Sequence, residues 1–163
     1  MRIIFLDIDG VLSLSGDYSK RTVIKEGLAV PYMWNTEACY AFKEIRSELG
    51  LEIVLSSDWR SSYRLPDMRE IFNANSLVGL SLIGYTPHNK EYTYASDKRQ
   101  MGFCRSKEIN EWLALHGVRE WVAIDDLPLH GLDNTRFVRC PDPGKGILGS
   151  GIVDKIREVF NES

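Results

Sequence analysis

The sequence predicts an α/β fold, a Rossmann-like three-layer α/β/α sandwich around a mainly parallel sheet. Short apolar, β-prone runs end abruptly in polar residues, stretches with helical periodicity lie between them, and the two kinds of segment alternate along the chain. At 163 residues there is room for one compact domain, spanning 1–163, and 44% hydrophobic residues is enough to give it a core.

The first run, Ile3 to Leu6, opens into Asp7-Ile8-Asp9-Gly10, as expected of a buried parallel strand with polar groups at its carboxyl end. Residues 13–33, containing Ser-Gly-Asp-Tyr and the alternating Thr22-Val23-Ile24, read as a short hairpin or flap. A helix follows, with Asn35 as N-cap, Ala38, Phe42, Ile45 and Leu49 on one face, and Gly50 as its stop. Glu52 to Leu55 is a second strand that halts at Ser56-Ser57.

Residues 84–104, rich in Tyr, Asn, Lys and Asp and without periodicity, read as a long loop of the kind that is usually functional or mobile. A helix beginning near Ser106, with Ile109, Trp112 and Leu113 inward and Gly117 as its stop, leads into Trp121 to Ile124 and then Asp125-Asp126. Phe137-Val138 suits a final strand, and Val153, Ile156 and Phe160 form the stripe of a closing helix. Trp112 and Trp121 belong in the core, and Trp59 reads as packing.

Bulk properties narrow the class. A net charge of -3 argues against attachment to nucleic acid through the overall field, though a local basic patch is compatible with it. Cys39, Cys104 and Cys140 contain no Cys-x-x-Cys pair and read as reduced, mostly buried thiols. His88, His116 and His130 are too scattered for a metal site. Met1 to Leu6 meets an acidic residue at once and resembles neither a signal peptide nor a membrane span, so the expectation is a cytoplasmic protein without a membrane partner.

Ligands of open α/β sheets sit beyond the carboxyl ends of the strands, so Asp7, Asp9, Ser56, Ser57, Asp125 and Asp126 are expected to converge. Two like charges ~4 Å apart at an effective dielectric of 20 cost about 4 kcal/mol, so four clustered carboxylates call for a cation. Oxygen ligands favour a hard ion such as Mg²⁺, which combines one or two carboxylates with waters and a substrate phosphate. Each signature alone has an ordinary reading as turn chemistry; their ordered occurrence, each directly after an apolar strand, carries the argument.

These motifs, in this order, resemble the haloacid dehalogenase (HAD) superfamily of phosphohydrolases. The resemblance implies Asp7 as nucleophile, Asp9 as general acid and base, and a strand-end Ser, Ser56 or its neighbour Ser57, binding the transferring phosphoryl group. It implies a Lys or Arg before the last motif, Lys107 or in reserve Arg105, and Mg²⁺ bound directly by Asp126 and through water by Asp125, with Asp7 and Asp9 completing the metal site. Backbone amides of Ile8 and Asp9 would add an anion nest.

Ile53-Val54-Leu55-Ser56-Ser57-Asp58-Trp59-Arg60 and Glu108-Ile109-x-x-Trp112-Leu113 are similar to the HAD domain of Swiss-army-knife RNA repair proteins. Arg60 reads either as a substrate contact or as a surface charge at a helix start, and Arg105 is a further candidate substrate contact. Only residues 13–33 and 61–104 are available for a cap insertion and neither suggests an independently folded lid, so a minimal cap and a largely open site are expected. That favours a bulky phosphomonoester such as an RNA or DNA end. A small-molecule phosphatase such as a nucleotidase, or a phosphate- or nucleic-acid-binding domain without turnover, are the alternatives.

Overall fold

The computed structural model describes residues 1–16, 21–89 and 97–161. Five parallel strands form one sheet in the order β5-β4-β1-β6-β7, comprising β1 (Arg2–Leu6), β4 (Leu51–Leu55), β5 (Leu82–Tyr85), β6 (Glu120–Asp125) and β7 (Phe137–Arg139). The chain runs from β1 through β4 to β5 in one direction, then returns to place β6 on the other side of β1. That reversal is a topological switch point, where open α/β sheets form their crevice. In register, Leu6 faces both Leu55 and Ile124, so the three polar motifs emerge side by side.

Alternation along the strands assigns the two faces. Ile4, Leu6, Ile53, Leu55, Val122 and Ile124 pack with residues of α1 (Thr36–Leu49), α3 (Leu65–Ala74) and α5 (Ile152–Asn161). Ile3, Phe5, Val54 and Ala123 pack on the opposite face against Ile109 and Trp112 of α4 (Lys98–His116). The three-layer sandwich is therefore the observed architecture. By the same period of two, Asp7, Ser56 and Asp125 belong to the α4 face.

Local chemistry accounts for the helix ends. The Asn35 side chain accepts from the Ala38 N–H, and Gly50, left-handed at φ 64°, closes α1 through its N–H to the Arg46 carbonyl. In α5, Ile152, Ile156 and Phe160 are the buried stripe. Within the 13–33 segment, β2 (Thr22–Lys25) pairs antiparallel with β3 (Leu28–Val30); the remainder of the flap expectation, 17–20, lies outside the described residues. All three cysteines are free and buried. Among the described residues no helix is long and apolar enough to cross a membrane.

The 84–104 loop expectation is corrected. Residues 90–96 lie outside the described residues, but α4 starts at Lys98, capped by Asp97 accepting from the Gln100 N–H, well before Ser106. The buried positions of α4 mix Gly102, Arg105, Ser106 and Glu108 with Cys104, Ile109 and Trp112, so the inward face of its first half is largely polar and the apolar period is lost there. Gly102 also lets the helix lie close against the loop after β6, because a Cβ there would meet the Pro128 carbonyl oxygen at 2.0 Å. The structure adds α2 (Trp59–Ser62), α3 and β5; α2 and β5 are only four residues long, whereas α3 buries Met68, Ile71 and Phe72 at helical spacing.

Candidate active site

Asp7 follows β1 directly, Asp125 ends β6 and Asp126 comes next; one carboxylate oxygen from each lies within 4.8 Å of the others. Gly10 makes this approach possible. Its φ is +77°, and a Cβ there would stand 2.7 Å from the Asp126 carboxyl carbon. A cleft of about 350 Å³ opens above the group, lined by Asp7, Asp9, Gly10, Arg105, Asp126 and Lys98 among others.

The electrostatics of the cluster are unbalanced. Burial, then the charge of Asp125, holds the Asp7 carboxyl well above the usual carboxylate range, against the pull of Arg105. Asp125 is also raised, by burial first, although Arg105 and the Leu127 N–H stabilise its charge. Asp126 is pushed up to about 6 by burial and by the Asp7 charge, with which it shares a hydrogen bond. Burial penalises all three carboxylates first, and their mutual repulsion is only partly offset by the guanidinium beside them.

That guanidinium belongs to Arg105. Its Nη1 lies 2.9 Å from Asp125 Oδ2 and 3.2 Å from Asp7 Oδ2, and its Nη2 lies 3.1 Å from Asp58 Oδ1. Burial works against its charge, and the carboxylates of Asp125, Asp7 and Asp58 more than compensate, so it stays protonated. Lys107, expected first for this place, is exposed, with its Nζ 5.6 Å above the Phe103 ring. Two positions on from Arg105, it is turned roughly 200° around the helix axis.

Other expected residues separate as well. Ser56, which follows β4 next to β1, is buried with no hydrogen-bond partner for its hydroxyl. Ser57 is engaged in the turn, where its Oγ accepts from the Trp59 N–H and its carbonyl from Arg60. Arg60, expected as a substrate contact, points inward to a buried ion pair with Glu108. Asp9 does not add its carboxylate to the metal group; Oδ1 accepts from the Tyr32 hydroxyl at 2.7 Å and Oδ2 from the Trp59 indole at 3.1 Å.

Sequence reasoning overlooked Lys98, Tyr32 and Asp58. Lys98 lies in the stretch read as loop, and its charge offsets part of the upward shift at Asp126. Its place seven residues before Arg105, two helical turns away on one face, was the available signal.

The family model described as the HAD domain in Swiss Army Knife RNA repair proteins matches residues 3–147. The chain belongs to this family. No curated protein and no solved structure matches it. The HAD match runs from Ile3 in β1 to Ile147 and so takes in every residue of the acidic cluster. Phosphatase-type chemistry is what this HAD domain's family suggests, and the cluster is compatible with it.

The donor set fits the hard divalent cation that HAD domains generally use. It is all oxygen, it is short of positive charge, and a backbone without Cβ at Gly10 leaves Asp126 its place beside Asp7.

Proposed function

We propose that this HAD domain is a Mg²⁺-dependent phosphomonoester hydrolase that uses Asp7 as nucleophile. The observation that carries the reading is the meeting of Asp7, Asp125 and Asp126 at the switch point, with Arg105 bound to the first two. Asp7 and Asp126 would hold the ion, with Asp125 behind them. When bound, Mg²⁺ supplies positive charge that keeps the cluster ionised and neutralises phosphate oxygens.

The chain's own residues supply the remainder. Arg105 orients Asp7 and offsets the charge of the phosphate dianion. The orphan hydroxyl of Ser56 is available to donate to a phosphate oxygen. The Asp7 carboxylate attacks phosphorus, the bond to the ester oxygen breaks, and Asp9 gives that oxygen its proton. A water then attacks the aspartyl-phosphate, losing its proton to Asp9 and freeing Asp7.

The substrate class we favour is the phosphorylated end of RNA or DNA. The open cleft, the family's description as part of RNA repair proteins and the cation pair Lys98 and Arg105 support it. A nucleotidase is the second reading, because a cleft of about 350 Å³ is within the size range of small-ligand pockets.

Phosphate release from 4-nitrophenyl phosphate, with and without Mg²⁺, tests the chemistry. Asp7→Asn should lower it by at least about a thousandfold, and equal release from both proteins would refute the nucleophile. End-phosphorylated oligonucleotides should be cleaved faster than mononucleotides at low salt and lose that advantage as salt rises. Turnover confined to mononucleotides and indifferent to salt would favour the second reading.

A further inference from the structure

Asp9 stands apart from the carboxylate cluster although only two residues separate it from Asp7. Its two oxygens are occupied by different donors, the Tyr32 hydroxyl on Oδ1 and the Trp59 indole on Oδ2. The indole N–H can only donate, so Trp59 fixes the oxygen it meets as an acceptor.

Both donors are themselves held. Trp59 meets Tyr32 edge-on at 5.7 Å and Trp34 at 5.6 Å, and it stacks on Tyr63 at 5.5 Å. Trp34 packs edge-on against Phe72 of α3, and its backbone N–H donates to the Asn75 side-chain oxygen at 2.8 Å. The Tyr63 hydroxyl donates to the Ala29 carbonyl in β3, which ties the hairpin to the same group. Donors fixed by three chain segments have little freedom to follow a wandering carboxylate.

We infer that Tyr32 and Trp59 are positioning residues that keep the Asp9 carboxylate out of the cation-binding cluster and reserve it for proton transfer. Without these donors Asp9 is a fourth acid beside a site that attracts cations, and coordination would take the group that the reaction needs as an acid. The inference rests on the proposed phosphohydrolase reading, and it makes a chemical distinction. As the P–O bond breaks, its electron pair goes to the ester oxygen; an alkyl oxygen needs the proton from Asp9, whereas a nitrophenolate leaves without it.

Tyr32→Phe retains the ring and removes the hydroxyl. With Mg²⁺ present, kcat/KM should fall for both glycerol phosphate and 4-nitrophenyl phosphate, with a loss about tenfold or more greater for the alkyl ester. Equal losses on the two esters would overturn the inference, because a general structural defect does not discriminate between leaving groups.

A second measurement needs no turnover. In the metal-free protein the Trp59 indole N–H is one of four in the chain and is assigned by its disappearance in Trp59→Phe. Asp9→Ala should move that resonance upfield, as expected when a carboxylate partner is lost. An unmoved resonance would overturn the positioning. A wild-type protein that cleaves neither ester would instead overturn the proposed function, and the indole signal would still decide whether Asp9 is held.

Discussion

Replacing Asp126 by Asn should reverse its effect on stability when Mg²⁺ is added. In the metal-free protein Asp126 has its proton affinity raised to about 6 from a reference near 3.8, so folding favours its protonated form. Stability linked to this group is complete below the unfolded pKa and is lost as pH rises through about 6. Two units at ~1.4 kcal/mol each would be about 3 kcal/mol; Asp126 is only partly buried, and solvent screening reduces that to roughly 1–2 kcal/mol. Asp126→Asn removes the penalty, so at pH 8 in EDTA its melting temperature should exceed the wild type's by roughly 2–8 °C, and at pH 4 by little. Saturating Mg²⁺ should reverse the order, since an ion at a hundred times its dissociation constant adds ~2.7 kcal/mol to the wild type and the variant has lost a ligand. Thermal unfolding followed by circular dichroism at the two pH values, with EDTA or Mg²⁺, measures all four states. A variant less stable than wild type in EDTA at pH 8, or one stabilised equally by Mg²⁺, would refute the reasoning.

Arg105→Ala leaves Asp7 and Asp125 buried without their shared cation, and urea denaturation of the metal-free protein should record a loss of about 3–5 kcal/mol. A loss under ~1 kcal/mol would mean that the aspartates are satisfied in another way. Gly10→Ala places a methyl 2.7 Å from the Asp126 side chain at a φ of +77°, so it should cost about 1–3 kcal/mol and abolish the melting shift produced by Mg²⁺. Lys107→Ala should leave stability within about 0.5 kcal/mol and phosphate release within roughly twofold of wild type, since its ammonium lies over Phe103 at the helix surface. A hundredfold drop in release would restore Lys107 to the site.

Much of the architecture is legible in the chain because strand and helix periods are local. β1, β4 and β6 read as apolar runs that stop at polar residues, and Asn35 and Gly50 bracket α1 through hydrogen bonds spanning four residues or fewer. The part of α4 from Lys98 to Arg105 is illegible for the same reason. Its inward residues serve a polar site, so they carry no apolar period, and helix looks like loop.

The sequence alone determines that Asp7, Ser56 and Asp125 can meet, because each ends a strand of one parallel sheet and alternation directs them to one face. It also determines the family, through motifs read in order. Tertiary structure decides where each neighbour of a pair points: Arg105 reaches the acids and Lys107 lies over Phe103, Ser57 and Arg60 are held by the turn and by Glu108, and Asp9 is drawn to Tyr32 and Trp59. Those choices depend on the direction of a side chain around a helix or turn and, for Arg105, Arg60 and Asp9, on partners far away in the chain. A one-dimensional pattern does not encode such relations.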